Sequence, residues 1–561
     1  MPRPEIGGRT KAAWLAIGAV SLIGLVVVTL VLQRRPSPFS GGLPVTRAEA
    51  EAKTRQELQK RGVTLGPKWR VLTVPDDGSD GPHQFVVETA GEARWRELVG
   101  VYLPKPRWRV RVATFEGDVA DRAEEWRTYV TSTGEIRNIR HEVPEARPGA
   151  SLDEPVARQR AVAAVKDRLG LDAAAGQIKE VSAKPEKQKA RTDWRFTFTD
   201  TTITLASPKP QSGEGGPLPQ GEPRIDVDLA GDEVASVARY IYVPEEWERR
   251  QRAASTRNTV IQVAVSVVFG GLLLAAAIAG MIAWSRGQFS PRLFLAASAM
   301  VLMASIVSFA NGWPALLANL STAVPLAIQL LGILAVGLVG FALLSAVIGL
   351  AIGGVPHRLA GLGTISDRDA VTLGVAAGLA GAAVAAIAAV LRTPAWALFP
   401  SVSALGTMVP FVATAVDPVA GFLTRLAVMT AALVTIDRIT GSWTRRRAVG
   451  ALLLAAIGFL SAGVPVSGHA PGWAAAGVIV AVALMITYIT LLRFDLTLIP
   501  VALGTMIGAG VIARGAHGAY PEALPGSIAG ALLLGVVSWF WFRALRRAQA
   551  DIFGNRINND K

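Results

Sequence analysis

The side chains that could carry chemistry in the apolar part of this 561-residue chain are few, and they include two aspartates beside two arginines. Asp437 directly precedes Arg438, and Asp495 follows Arg493 by two residues, each pair at the end of an apolar segment. Two carboxylates that share a proton could activate water for a hydrolysis. The alternative, which we favour, is that both lie at a membrane surface and each pairs with its neighbouring arginine.

A serine, a histidine and an arginine are the other candidates. Ser461 and His469 could form a nucleophile and its base, but a helix end followed by an outer loop is our preferred interpretation of this stretch. Arg425 lies well inside an apolar segment, where its side chain either lines a polar path or, as we favour, extends to the outer membrane surface. No Glu lies inside a predicted span and the chain has no Cys, so we expect no metal ion and no other cofactor.

The composition is that of a membrane protein with a polar domain. Hydrophobic residues make up 51% of the chain and charged residues 18%, and the mean hydropathy is +0.37. The net charge of +14 comes largely from arginines beside the apolar segments and in the polar domain. Basic loops are normal in membrane proteins and no nucleic-acid-binding motif accompanies them. We therefore expect the lipid bilayer as a partner and no nucleic acid.

An apolar segment near the N-terminus predicts a membrane anchor. Residues 12–33 are mostly apolar, follow three basic residues, and are followed by Arg34 and Arg35 in place of a small-residue cleavage site. This pattern indicates an uncleaved helix with residues 1–11 in the cytoplasm.

Residues 36–255 form a polar region with an internal repeat. Thr46 with Glu49, and Ser151 with Glu154, have the spacing of a capping box at a helix start. Each helix is followed by alternating polar and apolar stretches that predict strands: Trp108–Val112, Trp126–Val130 and Ile136–Arg140 in the first half, and Trp194–Phe198, Ile225–Leu229 and Val234–Tyr242 in the second. We predict two α+β units, residues 36–148 and 149–255.

The first unit resembles the PepSY domain family. The similarity lies in the helix start Thr-Arg-Ala-Glu-Ala at 46–50 and in the hairpin Tyr-Val-Thr-Ser-Thr-Gly-Glu-Ile at 129–136. The resemblance implies small extracytoplasmic α+β modules of the kind found beside membrane proteases and sensors, and the repeat extends it to the second unit.

The remaining sequence predicts a multi-pass α-helical membrane bundle over residues 258–545, followed by a cytoplasmic tail, 546–561. The apolar segments are 258–284, 292–312, 325–353, 370–391, 396–416, 419–437, 448–465, 473–492, 496–514 and 526–543. Arginine clusters place the C-terminus inside and the polar region outside a bacterial inner membrane. This topology requires that one segment not span, and 396–416, interrupted by prolines, is our candidate for a re-entrant or broken helix.

The last third of the chain resembles the CPBP family, intramembrane proteases related to type II CAAX prenyl endopeptidases. The positions that match its motifs are Thr435, Ile436, Thr440, Gly441, Phe459, Gly463 and Gly504. Thr435 and Ile436 stand where the family has two glutamates, and Gly463 and Gly504 stand where it has histidines. The resemblance implies a degenerate relative, without the groups that activate water, that binds a membrane protein or peptide client without cutting it.

Two other functions remain open. A transporter is suggested by the repeated pentapeptide Ala-Leu-Gly-Thr-Met at 404–408 and 502–506, each copy after a proline, which would give broken helices at 396–416 and 496–514. A membrane-anchored sensor or scaffold is the other alternative. The sequence leans away from an enzyme.

Overall fold

The computed structural model describes residues 6–33, 42–78, 81–115, 124–205, 220–356, 365–393, 402–464, 470–518 and 520–559. The helices are α1 (Gly8–Gln33), α2 (Arg47–Lys60), α3 (Gly81–Leu98), α4 (Glu154–Leu169), α5 (Glu245–Ser285), α6 (Pro291–Asn311), α7 (Trp313–Ala318), α8 (Leu326–Gly353), α9 (Asp367–Arg392), α10 (Pro410–Thr440), α11 (Arg447–Ser461), α12 (Ala470–Thr487), α13 (Ile499–Ala516) and α14 (Ala523–Asn559). The strands are β1 (Arg70–Asp76), β2 (Arg107–Ala113), β3 (Glu125–Val130), β4 (Ile136–Glu142), β5 (Ile178–Lys187), β6 (Thr192–Asp200), β7 (Glu222–Ala230) and β8 (Glu233–Tyr242).

The polar domain contains two four-stranded antiparallel sheets, each preceded by a helix. The strands follow the order β1-β2-β3-β4 in one sheet and β5-β6-β7-β8 in the other. The predicted strand segments all lie within observed strands. Buried and partly exposed residues alternate along β7, and its inward side chains Ile225 and Val227 pack with Ala157 and Ala161 of α4. Each such buried aliphatic side chain contributes about 1.5–3 kcal/mol relative to exposure, so this face holds the second unit together.

Both predicted helices form, but only one of the two predicted capping boxes is confirmed. At α2 the capping box forms, because Thr46 N donates to the Glu49 carboxylate at 2.7 Å and Glu49 N donates to Thr46 Oγ1 at 3.2 Å. At α4 the residue before the helix is Asp153, which makes no side-chain cap, and Ser151 instead pairs with Thr192. Ser151 therefore joins the edge of the second sheet and does not start the helix.

The helix α3 connects the two units to the start of the membrane bundle. It is inserted between β1 and β2 but packs on residues that follow the second sheet. Phe85 meets the indole of Trp247 edge to face with ring centroids 5.5 Å apart, and Trp247 Nε1 donates to Glu88 at 3.0 Å. Trp247 lies in the first turns of α5, a helix of 41 residues and therefore about 60 Å long. The polar domain is thus continuous with a bundle helix.

Within the described residues, nine helices are long and apolar enough to cross a bilayer, and α11, with 15 residues, is a shorter apolar helix. The long ones include α1, which packs on α9 so closely that a Cβ on Gly18 would lie 2.9 Å from Ala376. Lys11 forms an ion pair with Asp369 at 2.6 Å. Such a set of helices is compatible with an integral membrane protein. We call the end of the bundle that contacts the polar domain the domain end, and the opposite end the far end.

The segment 396–416 does not form a spanning helix in its described part. Residues Ser403–Gly406 form a 3₁₀ turn, and α10 then runs without interruption from Pro410 to Thr440, through Pro418. Pro410 suits the first turn of a helix because its missing N–H is not needed there. The predicted segments 396–416 and 419–437 therefore merge into one long helix preceded by a turn.

The broken helix predicted at 496–514 is wrong. A π-helical turn, Tyr488–Leu492, and a 3₁₀ turn, Leu496–Leu498, precede α13, which is continuous from Ile499 to Ala516 with Pro500 in its first turn. The pentapeptide at 502–506 is helical, whereas the copy at 404–408 lies in a turn. The two copies are therefore not equivalent halves of a repeat.

Candidate functional site

Asp495 is a structural carboxylate. It is fully buried and accepts hydrogen bonds from Thr497 N at 2.9 Å, Thr497 Oγ1 at 2.6 Å, Ile365 N at 3.3 Å and Arg546 Nη2 at 2.7 Å. Four donors use its acceptor positions, so it ties the start of α13 to α14 and to the segment before α9. Its ion pair is with an arginine 51 residues away, which the local sequence does not indicate. The guanidinium of Arg493 lies over the ring of Phe494.

Asp437 has a different set of partners. It is 5% exposed and accepts hydrogen bonds from Tyr488 Oη at 3.1 Å and Ser442 Oγ at 3.5 Å. Arg438, the partner expected from the sequence, is exposed, because consecutive residues of a helix point in different directions. Asp437 and Asp495 each accept hydrogen bonds from their own set of donors, and none of these bonds joins the two carboxylates.

The positions that resemble CPBP motifs are spread along the bundle. Thr440 and Gly441 end α10 at the far end, where the side chain of Thr440 faces Gly450. Gly463 follows the other end of α11, where its carbonyl accepts from Trp473 Nε1 at 2.6 Å. The helical stretch from Gly450 to Ser461 spans about 16 Å at 1.5 Å per residue. Thr440 and Gly441 therefore lie near the start of α11, and Gly463 lies at its other end.

The other motif positions make packing contacts. Thr435 is exposed and Ile436 is buried, both on α10. Phe459 meets Trp473 edge to face with centroids 5.1 Å apart. A Cβ on Gly504 would overlap Ser538 of α14. These contacts join neighbouring helices and do not line one common site.

Serine chemistry and metal chemistry receive no support from the described residues. Ser461 Oγ donates to the carbonyl of Ile457 within its own helix at 2.7 Å, and His469 lies outside the described residues. In the part of the chain that the structure describes, no three His, Cys, Asp or Glu side chains are grouped so that they could hold a metal ion.

The strongest candidate site is the junction between the polar domain and the bundle, and Arg111 is its centre. This β2 residue is 8% exposed and forms a two-pronged ion pair with Glu125 at 2.8 and 2.7 Å. Its third nitrogen, Nη1, donates to the carbonyls of Ala318 at 2.6 Å and Leu320 at 3.0 Å. Ala318 is the last residue of α7, so Arg111 satisfies a helix-terminal carbonyl that carries partial negative charge.

Glu125 is held in its charged form. It is 1% exposed, and burial alone would raise its pKa, but the hydrogen bonds and charges of Arg111 and Arg127 outweigh burial and lower the pKa. A charged carboxylate and a charged guanidinium are thus enclosed together. The pair is fully bonded only while the polar domain rests on α7.

Two more arginines make the same kind of contact. Arg47 Nη2 donates to the carbonyls of Leu405 and Thr407, each at 2.7 Å, and Arg109 Nη2 donates to Asn319 Oδ1 at 3.0 Å. An apolar floor formed by Leu72, Val74, Ala113, Phe115, Ala318 and Leu320 lies beside them. We call Arg47, Arg109 and Arg111, with segments 313–320 and 402–409, the arginine junction.

The segment 402–409 connects the arginine junction to the long helices. Asn311, at the end of α6, accepts from Val409 N at 2.8 Å and donates to Val409 O at 3.0 Å, and its carbonyl accepts from Met408 N at 2.7 Å. α10 begins at the next residue, Pro410. A short chain of hydrogen bonds therefore links the arginine junction to α6 and α10.

A cleft of 470 Å³ lies between the two units of the polar domain. Its charged lining residues are Lys53, Glu57, Lys60, Arg61, Glu135, Arg137 and Arg168. Burial, and then the nearby charge of Arg61, lowers the pKa of Arg168, so these two cations lie close enough to repel each other. Such a lining favours a negatively charged ligand.

His141 links the two units of the polar domain beside this cleft, and we call this contact between the units the seam. Its Nε2 bonds Glu124 at 2.8 Å in the first unit, its Nδ1 bonds Glu233 at 2.7 Å in the second, and its ring stacks on Trp126 at 3.6 Å. Burial would lower the pKa of His141, but the two carboxylates outweigh it and raise the pKa. Both ring nitrogens can donate at once only in the imidazolium form, so the seam is tightest when His141 is charged.

Comparison with known proteins identifies no matching family model, no similar curated protein and no similar solved structure. The arginine junction, the cationic cleft and the apolar helices are therefore the observations from which a function can be argued.

Proposed function

We propose that this chain is a membrane-embedded sensor or scaffold of the bacterial inner membrane, in which an extracytoplasmic domain binds a ligand and transmits binding to the bundle. The observation that carries the proposal is the arginine junction, because the buried Arg111, held in charged form by Glu125 of its own unit, donates across the contact to the carbonyls of Ala318 and Leu320. Lifting the domain off the bundle would break these charge-assisted hydrogen bonds, each worth about 1.5–3 kcal/mol, so we expect the domain and the bundle to move together.

The ligand we propose for the polar domain is acidic. The cleft between the units has five cationic and two anionic side chains among its lining residues. The cleft lies at the seam, where His141 links the two units. The first unit also carries the three arginines of the arginine junction. A ligand that changes the angle between the units would therefore act directly on segments 313–320 and 402–409.

The orientation rests on the arginines of the bundle. At the far end, Arg286 follows α5, Arg292 and Arg438 lie in the terminal turns of α6 and α10, Arg493 follows the π-helical turn, and Arg543 lies in α14. An excess of arginine marks the cytoplasmic side of a membrane protein. This supports a cytoplasmic far end and an extracytoplasmic polar domain.

A client-binding groove of the kind that the CPBP resemblance implies is the alternative, and it has less support from the geometry. The motif positions of that resemblance lie at both ends of α11 and make packing contacts, so the geometry supports a sensor or scaffold more than a degenerate protease groove. The client of such a groove would be a membrane protein or peptide.

Hydrogen exchange of the full chain in detergent tests the coupling. Hexaglutamate is the probe for the cleft, and the Arg111→Met variant removes the central contact. In the wild type we expect the peptide to slow exchange in the cleft and to change exchange in 313–320 and 402–409. In the variant the cleft should still respond, and 313–320, which Arg111 contacts, should not. An identical response of 313–320 in both proteins would contradict the proposal.

The proposed sensor or scaffold does not cleave membrane substrates, and a proteolysis assay tests this. The purified chain is incubated with model membrane substrates, and we expect no cleavage. Cleavage that is abolished by Asp437→Asn or Asp495→Asn would make one of these carboxylates catalytic and would overturn this part.

A further inference from the structure

Two arginines on the outer surface of the bundle extend towards each other. Arg425 lies on α10 and Arg514 on α13, and both side chains are exposed on the bundle surface. Arg425 Nη1 lies 3.6 Å from where a Cβ on Gly421 would be, and Arg514 Nη1 lies 3.8 Å from the same point on Gly510. Each arginine thus lies over a glycine one turn earlier in its own helix, where no side chain obstructs the guanidinium.

The directions of the two helices make these side chains converge. α10 begins at the domain end, so Arg425 extends towards the domain end, whereas α13 begins at the far end, so Arg514 extends away from the domain end. Gly515 packs against Ser527, and Gly526 packs against Thr414, so Arg514 lies close to the level of Thr414. The eleven residues from Thr414 to Arg425 span about 16 Å along the helix axis. Two extended arginine side chains together reach across most of this distance. α10 and α13 contact each other in the bundle, so the two side chains converge on neighbouring helices.

The pair has no counter-ion among the described residues. The ion pairs and hydrogen bonds made by the described part of the chain include none to either guanidinium. Arginine side chains carry a positive charge in proteins and have only donors, so each of these groups needs an acceptor. Two unpaired like charges on a membrane-facing surface are strongly unfavourable. An anion between them would offset their repulsion and would accept hydrogen bonds from both guanidinium groups.

The position of the pair identifies the anion. The guanidinium of Arg425 lies at the level of Gly421, about 10 Å along the helix from Thr414, and the guanidinium of Arg514 lies at the level of Gly510, about 6 Å from the level of Arg514 itself. When the level of Thr414 stands at the membrane surface, the guanidinium of Arg514 lies in the lipid headgroup region, which is about 5–7 Å deep in each leaflet, and Arg425 extends towards this region from just beneath it. Arginine forks bind phosphate oxygens with two parallel hydrogen bonds. We propose that Arg425 and Arg514 bind the phosphodiester of one phospholipid in the leaflet at the domain end; this rests on the membrane insertion in the proposed function.

Native mass spectrometry of the full chain, extracted from nanodiscs that contain equimolar phosphatidylethanolamine and phosphatidylglycerol, tests the proposal. The variant carries Arg425→Gln and Arg514→Gln. The matched control carries Arg286→Gln and Arg292→Gln, which removes the same charge from exposed arginines at the far end. We expect at least tenfold weaker phospholipid retention in the variant and unchanged retention in the control. Arg→Lys at both sites should retain an intermediate amount, because charge remains but the fork does not.

Two competitors identify the source of the phosphate in the wild type, so the test does not depend on the variants. Diacylglycerol has the acyl chains without phosphate, and inorganic phosphate has the anion without chains. We expect both to displace the bound phospholipid at least tenfold less well than added phosphatidylglycerol. Equal competition by diacylglycerol, or by inorganic phosphate, would overturn the proposal in favour of an apolar groove or a free-anion site.

Resistance of the chain to carbonate extraction from membranes distinguishes this inference from the proposed function. A wild-type chain that carbonate releases is not inserted, and that result would contradict both. An inserted chain that retains phospholipid equally in the wild type, the variant and the control would contradict the lipid site alone.

Discussion

At the scale of single residues, the buried charges of this protein connect elements. Asp495 has four donors and Arg111 has four hydrogen bonds to three partner residues. The hydrogen bonds that occupy the acceptor positions of Asp495 and the donors of Arg111 are the bonds that hold these segments together.

Arg111→Met is expected to weaken the arginine junction by about 3 kcal/mol, because Glu125 would remain buried with only Arg127 as its partner. In hydrogen exchange of the full chain, this corresponds to roughly 100-fold faster exchange in segments 313–320 and 402–409.

Arg109→Met is the control for Arg111→Met. It removes a single hydrogen bond from the same strand, worth about 1 kcal/mol. Adding Glu125→Gln to Arg111→Met should recover part of the loss, since no charge is then buried alone. Equal exchange in the two single variants would show that the buried pair does not hold the domain on the bundle.

At the scale of elements, glycines decide where helices touch. The sequence shows many glycines in the apolar segments and does not distinguish those that pack against another helix from those on the outer surface of the bundle. The structure does: a Cβ on Gly280 of α5 would overlap the backbone carbonyl of Leu350 in α8, whereas a Cβ on Gly271 of α5 would meet nothing within 4 Å.

Gly280→Ala should therefore separate α5 from α8 and destabilise the bundle by about 2–3 kcal/mol, as overpacking does in close-packed interiors. Denaturant unfolding of the full chain in detergent measures the change. Gly271→Ala, on the same helix, should be neutral or slightly stabilising, because alanine favours the helix. A loss of stability from Gly271→Ala as large as that from Gly280→Ala would contradict this packing.

The seam between the two sheets should depend on pH. The pKa of His141 is raised in the folded chain, so its contribution is complete below the unfolded value of about 6.5 and is lost as the pH rises through the folded pKa, above 6.5. The hydrogen bond from His141 lowers the pKa of Glu124 and of Glu233, so their contribution is present above about pH 4.3 and is lost as the pH falls below it. The seam should be tightest between these limits.

Spin-label distance measurements can follow the seam, since the chain has no native cysteine. Labels at Arg55→Cys and Lys179→Cys, exposed positions of the two units, report their separation. We expect the distance distribution to broaden from pH 6 to pH 9 in the wild-type background. With His141→Gln it should be broad at both values; a distribution that stays narrow at pH 9 in the wild-type background would contradict a charged histidine at the seam.

At the scale of the whole molecule, the topology is the main expectation still to be measured. Cysteines introduced at exposed Arg55 in the polar domain and at exposed Arg447 at the far end can be labelled in intact cells with a membrane-impermeant maleimide. We expect labelling at Arg55→Cys in cells with a permeable outer envelope, and labelling at Arg447→Cys only after lysis. Labelling of Arg447→Cys in intact cells would reverse the proposed orientation.

The sequence alone determined the coarse plan. Apolar segments of membrane-spanning length, and alternation in the polar region, follow from local composition and period, which is why most of the spans and all six predicted strand segments appear in the structure. The start of α2 was equally readable, because Thr46 and Glu49 form a cap within one turn. At 396–416 the sequence indicated an interruption but not that α10 would begin at Pro410.

Only the tertiary structure decided which charges meet. The contacts of Arg111 with Ala318, of Asp495 with Arg546 and of His141 with Glu233 join residues far apart in the chain, and no local pattern encodes them. The local pairing expected for Asp437 with Arg438 failed because a helix points neighbouring side chains apart. Spacing along the chain fixes elements through backbone geometry, whereas a site forms where packing brings the ends of different elements together.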